Sequence, residues 1–139
     1  LQAALGISQL ERVDNFISKR HTLKERYDSL LKDLPVILPY QSIDSYSSHH
    51  LYSIKIDTSN EKNISRIDVF NELRRNDIGV NVHYIPIHMQ PYYQDLGFRY
   101  GDFPNSEEYY ESALSLPLFS SMTIKQQDEV VAVLDQSLQ

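Results

Sequence analysis

The stretch VHYIPIHMQPYYQDLGF, residues 82–98, runs from a strand-like alternation into a region with no period. Val80, Val82 and Tyr84 alternate with Asn81 and His83, which predicts a strand over residues 80–84, ended by Pro86. Beyond it, residues 86–104 follow neither a helical nor a strand repeat. Pro91, Gly97, Gly101 and Pro104 punctuate them, with Tyr92, Tyr93, Phe98, Tyr100 and Phe103 between. A loop of this length inside a domain is usually functional or disordered. Its aromatic content argues against disorder. A strand end that opens onto such a loop is a favoured place for binding groups.

Upstream of it, Ser65 and Asp68 have the spacing of a capping box, and Val69, Phe70 and Leu73 give that helix an apolar side. It is expected to stop near Asn76, before Gly79. Residues 58–63 read as a polar turn. Residues 50–56 alternate, with His50, Tyr52, Ile54 and Ile56 on one face. Pro35 and Pro39 bracket a short extended piece at residues 36–38. Downstream, Asn105 or Ser106 is expected to cap a short helix with Glu107 and Glu108 in a solvated first turn. Residues 116–118 read as extended. Thr123 with Gln126 forms a second capping box, and Val130, Val133, Leu134 and Leu138 stripe the last helix.

Residues 1–31 read as one helix, with Leu5, Leu10, Val13, Leu23, Tyr27 and Leu31 on its apolar side. At about 1.5 Å per residue it would run roughly 45 Å, longer than a small domain is wide. No Ser, Thr, Asp or Asn precedes it to accept its orphan N–H groups, and the chain opens on Leu1. The expectation is that the chain begins inside a helix and that something precedes it in the native protein. The alternative is the frayed helix of a complete small protein. The element order predicts an α+β fold: a long N-terminal helix leading into a small, mostly antiparallel sheet with helices on one face.

The chain has 139 residues, the size of one domain. Its 13 basic and 19 acidic residues leave a net charge of −6, the wrong sign for a nucleic-acid binder that works by phosphate neutralisation. It has no cysteine, which excludes a disulfide scaffold, a thiol nucleophile and a thiolate metal site. No apolar run approaches a membrane span and no signal peptide opens the chain, so a cytoplasmic location is expected.

His83 and Tyr84 lie where the strand meets the loop. As strand neighbours they are expected to point to opposite faces, with polar tips able to donate to phosphate or sugar oxygens. The structural alternative is a buried Tyr84 with a satisfied hydroxyl beside an idle His83. His83 and His88 are five residues apart, which suits neither strand nor helix ligation of a metal. Adjacent His49 and His50 diverge likewise. The sequence contains no GxGxxG, P-loop, GxSxG or HExxH motif, and no nucleophile with its base and orienting group. On its residues alone the chain is a module able to bind a small polar ligand.

The pieces LQAALGISQLE, VHYIPIHMQPYYQDLGF, GDFPNSEEYYESALSLPLF and TIKQQDEVVAVL resemble, in order, the C-terminal part of DegT/DnrJ/StrS-type sugar-nucleotide aminotransferases. These are pyridoxal-phosphate (PLP) enzymes of fold type I. Within them the chain is most similar to the branch that aminates UDP-linked 4-keto-6-deoxy-hexosamines, as in pseudaminic acid synthesis. The resemblance implies that residues 1–34 are a connecting helix from a missing PLP-binding domain and residues 35–139 the C-terminal small domain. The Schiff-base lysine and the phosphate cradle would belong to the missing part. None of Lys19, Lys24, Lys32, Lys55, Lys62 or Lys125 lies in a motif like the family's lysine site, so no catalytic or cofactor-binding residue is expected here, and the chain alone is expected to be inactive.

What the resemblance implies for this stretch is substrate binding. His83 or Tyr84 would hydrogen-bond diphosphate or sugar oxygens. Ile85 and Pro86 would shape the wall, and His88, with Tyr92 and Tyr93, would reach in from the adjoining loop. The amino donor is expected to be glutamate, and the full-length enzyme a homodimer. Two other readings remain: a stand-alone α+β ligand-binding module, suggested by the complete apolar pattern after Leu34, and an oligomerisation domain, suggested by the long helix.

Overall fold

Tyr52, Ile54 and Ile56 alternate with Ser53 and Lys55, and in the computed structural model they form the middle strand of the sheet. The structure describes residues 1–57 and 64–139; the polar turn expected at residues 58–63 lies outside the described residues. Strand β1 is Val36–Ile37, β2 is Tyr52–Ile56 and β3 is Ala113–Leu116. The sheet order is β1-β2-β3, antiparallel throughout. The pairing sets Ser53 opposite Ser115 and Ile54 opposite Leu114. Helices α1 (Gln2–Leu10), α2 (Val13–Leu31), α3 (Arg66–Arg75), α4 (Pro91–Asp95), α5 (Pro104–Ser112) and α6 (Ile124–Ser137) complete the fold. The α+β architecture with a small antiparallel sheet is therefore as the sequence predicts.

The core lies where β2 and β3 meet helices α2, α3 and α6. Tyr52, Ile54, Ile56 and Leu114 pack with Leu23, Tyr27 and Leu31 of α2, Val69 and Leu73 of α3, and Val130 and Leu134 of α6. Each large side chain buried this way contributes about 1.5–3 kcal/mol of transfer free energy. The Tyr27 and Tyr52 rings stack at 4.9 Å. Their hydroxyls are satisfied, Tyr27 donating to the Pro117 carbonyl (3.0 Å) and Tyr52 to Asp28 (2.8 Å). Gln127 is fully buried with both ends of its amide bonded: its Nε2 donates to the Leu23 carbonyl at 2.7 Å and its Oε1 accepts from Arg26. Both expected capping boxes form, Ser65 with Asp68 and Thr123 with Gln126.

Several expectations are corrected. The helix over residues 1–31 is two helices. The Arg12 N–H bonds Gln9 rather than the residue four back, so the ladder tightens and breaks at residues 11–12. None of the α1 side chains is buried. The strand over residues 80–84 reduces to a single bridge, Asn81 with Ser115. Val80 is buried and Val82 half-buried, so the alternation is satisfied by packing rather than by a ladder. Strand β3 precedes the extended piece read at residues 116–118. Pairing with β2 overrides the helical preference of Ala113 and Leu114, and Pro117, with no N–H, ends the ladder. His50 is exposed, off the β2 face, because His49 has φ +44° and turns the chain before the strand begins. Helix α5 starts at Pro104, so neither Asn105 nor Ser106 caps it. No helix among the described residues is long and apolar enough to cross a membrane.

Candidate functional site

The antiparallel register that buries Tyr52 and Ile54 places Ser53 and Ser115 on the other face of the sheet, opposite one another. Their hydroxyl oxygens are 2.6 Å apart, and Ser115 Oγ is also 2.8 Å from His83 Nδ1. A three-member polar chain thus fixes the half-buried His83 ring from behind. Its Nε2 has no hydrogen-bond partner among the described residues and is the atom free to meet a ligand.

Tyr84 lies beside His83 rather than on an opposite face. The two rings meet edge-on at 4.6 Å, and the peptide between them is cis. The opposite-face expectation fails because no strand forms there. Tyr84 is 73% exposed and Ile85 40%. Pro86 is buried and leads into a 3-10 turn, Ile87–Met89.

His88, expected to reach ligand from the loop, is only 7% exposed, and its Nε2 is 2.6 Å from Glu107 Oε1. Glu107 is buried as well, which corrects the solvated first turn expected of it. Its carboxylate also accepts from the Gly101 N–H, 2.9 Å from each oxygen, and from the Phe103 N–H at 3.4 Å. Burial pushes the Glu107 pKa up, but the bonds from Gly101, His88 and Phe103 outweigh it and hold the carboxyl below its ordinary value. Gly101 presents its N–H here at φ +96°, a conformation that favours glycine.

Residues 86–104, expected as one loop, instead hold the 3-10 turn and α4 before α5 begins, and they are ordered around this pair. Tyr93, Phe98 and Phe103 line a cavity of about 290 Å³ with His88 at its wall. Tyr92 is mostly exposed and touches Tyr93 edge-on. The structure therefore brings His83, Tyr84 and Ile85 together at the surface and sets Pro86 and His88 beneath them. Sequence reasoning missed Ser53, Ser115 and Glu107. The first two depend on strand register. The third had one signal, a carboxylate three residues after a Pro that starts a helix.

The described residues do not form a PLP site, and Lys62 lies outside them. Lys24 bonds Asp28, and Lys32, Lys55 and Lys125 pair with Asp33, Glu108 and Glu129 at or near the surface. Lys19 borders a shallow pocket with Thr22 and Ser121. None of these is a desolvated amine poised for a carbonyl.

Residues 1–135 match the description DegT/DnrJ/EryC1/StrS aminotransferase family. The chain belongs to that aminotransferase family. It is 37% identical over 134 residues to the spore coat polysaccharide biosynthesis protein SpsC of Bacillus subtilis (strain 168), covering 94% of this chain and 34% of that protein. Helicobacter pylori PseC, an aminotransferase involved in the biosynthesis of pseudoaminic acid, superposes with a TM-score of 0.86 at 27% identity, over 99% of this chain and 36% of that one. NtdA from Bacillus subtilis, solved with bound cofactor PMP, superposes at 0.73 with 29% identity, over 88% of this chain and 28% of that one. The chain spans about a third of the length of these relatives.

Proposed function

We propose that the chain is the substrate-side domain of a PLP-dependent aminotransferase that moves an amino group from glutamate to the 4-keto carbon of a UDP-linked deoxy sugar, in cytoplasmic synthesis of a surface glycan. The observation that carries this reading is the His83-Tyr84-Ile85 surface, where Tyr84 and Ile85 are exposed and Ser115 braces a half-buried His83 whose Nε2 has no partner among the described residues. The family match and the likeness to PseC support the sugar-nucleotide class. PLP would supply the electron sink, held by a domain that the intact, homodimeric enzyme provides. The chain alone, with no lysine in a motif like the family's lysine site, is inactive on this reading.

Each residue then has a definite part. His83 Nε2 and the Tyr84 hydroxyl meet diphosphate or sugar oxygens, and Ile85, seated on Pro86, gives the apolar wall. His88 serves from behind, through the loop it anchors. Residues 1–34 are the connector, and α2 within it packs against the sheet domain through Leu23, Tyr27 and Leu31. In the intact enzyme, His83→Ala should raise the KM for a UDP-linked 4-keto-6-deoxy-hexosamine about tenfold or more and leave the KM for glutamate unchanged. An unaltered sugar KM, or no turnover of that sugar by the wild type, overturns the reading.

A further inference from the structure

His83 and His88, five residues apart, are both tied to one continuous piece of the fold. At the first, Ser115 Oγ holds the ring at 2.8 Å, and the backbone of Asn81 pairs with that of Ser115 (2.8 and 3.3 Å). At the second, Glu107 Oε1 holds His88 Nε2 at 2.6 Å. Glu107 is on α5 and Ser115 on β3, and α5 ends at Ser112 where β3 begins at Ala113, with no loop between. The short span from Tyr84 to Ile87 is therefore suspended between two buried anchors on a single helix–strand unit. Tyr84 and Ile85 project from it into solvent.

We infer that Glu107 is a positioning residue for the sugar-nucleotide surface: it acts through His88 to hold the Tyr84–Ile85 span at a fixed distance from His83. Its second carboxylate bond, to Gly101, closes the far end of the loop, so the same group sets both ends of residues 88–101. A charged acceptor serves this purpose better than a neutral one, because bonds to an ionised acceptor are shorter and stronger. Misplacement of a binding group by about 1 Å can cost up to about 100-fold in rate. This inference rests on the substrate-side reading above and adds to it a residue that touches no ligand.

The test uses the intact enzyme with a UDP-linked 4-keto-6-deoxy-hexosamine and glutamate. Glu107→Gln keeps the size and removes the charge; it should raise the sugar KM about tenfold while the glutamate KM stays within twofold. His88→Gln should do the same, and the double variant should be no worse than the more damaged single one, since both cut one link. Glu108→Gln, whose partner Lys55 is 4.0 Å away near the surface, should leave both values unchanged. Equal rises in both KM values, or an unchanged sugar KM in Glu107→Gln, overturn the inference. If Glu107→Gln does not fold, Ser115→Ala and His88→Gln decide in its place: an unchanged sugar KM in both overturns it. Should His83→Ala raise the sugar KM while the anchor variants do not, positioning fails and the substrate-side reading stands. If His83→Ala also leaves it unchanged, that reading fails first.

Discussion

Glu107 is ionised in the folded chain against the pull of its own burial, because three donors converge on it. A carboxyl held below its ordinary pKa binds protons less readily folded than unfolded. Its stabilisation is thus fully present above the unfolded value of about 4.3 and is lost as pH falls through the folded one. Melting temperature should therefore differ most between wild type and Glu107→Gln above about pH 5, and the gap should close as the pH falls below about 4. A gap that widens toward acid would contradict this. The residue scale is also where the sequence conceals most. His83 and Tyr84 stand out as polar groups at a strand end, and they do reach the surface together. Ser53 and Ser115 carry no local mark, and Glu107 carries only its place three residues after the Pro that starts α5. Their importance comes from contacts 19, 62 and 32 residues away in sequence, and periodicity does not encode which residue meets which.

Elements fare better where the chemistry is local. Both capping boxes form as read, because an N-cap hydroxyl and the residue at the third helical position need only each other. Helix α6 illustrates the division of labour. Thr123→Ala removes the acceptor of the Gln126 N–H at 3.2 Å and should cost about 1 kcal/mol. Leu134→Ala empties a fully buried position among Leu23, Leu73 and Val130 and should cost about 2–5 kcal/mol. Urea unfolding of the two variants checks the order, and equal losses would show that the end of α6, rather than its packed face, governs its stability. Elements set by pairing were less legible. Residues 113–116 carry helix formers, yet β2 draws them into a strand, and residues 80–84 have a strand pattern yet form one bridge. In both cases tertiary partners decide between states that the local sequence leaves close in energy.

At the scale of the whole molecule, the two N-terminal helices divide between two environments. Leu23, Tyr27 and Leu31 of α2 are inside the core, and Arg26 and Gln127 bind α2 to α6. Leu5, Ile7 and Leu10 of α1 are exposed, and the helix buries nothing. An apolar stripe on an isolated helix adds no stability, since a helix of nine residues is marginal in water without packing. The break at residues 11–12 lies inside the connecting stretch 1–34 that the family resemblance implies, and it separates a helix that buries nothing from one packed into the core. Removing residues 1–10 from the 139-residue chain should leave its melting temperature within about 2 °C, where a loss of about 1 kcal/mol would lower it by roughly 3–5 °C. Amide exchange should agree, with α1 exchanging at near-unfolded rates and α2 protected from about Leu23 onward. A fall of more than about 5 °C on deletion would mean that α1 belongs to the folded unit, and its exposed leucines would then have to find their contacts within this chain.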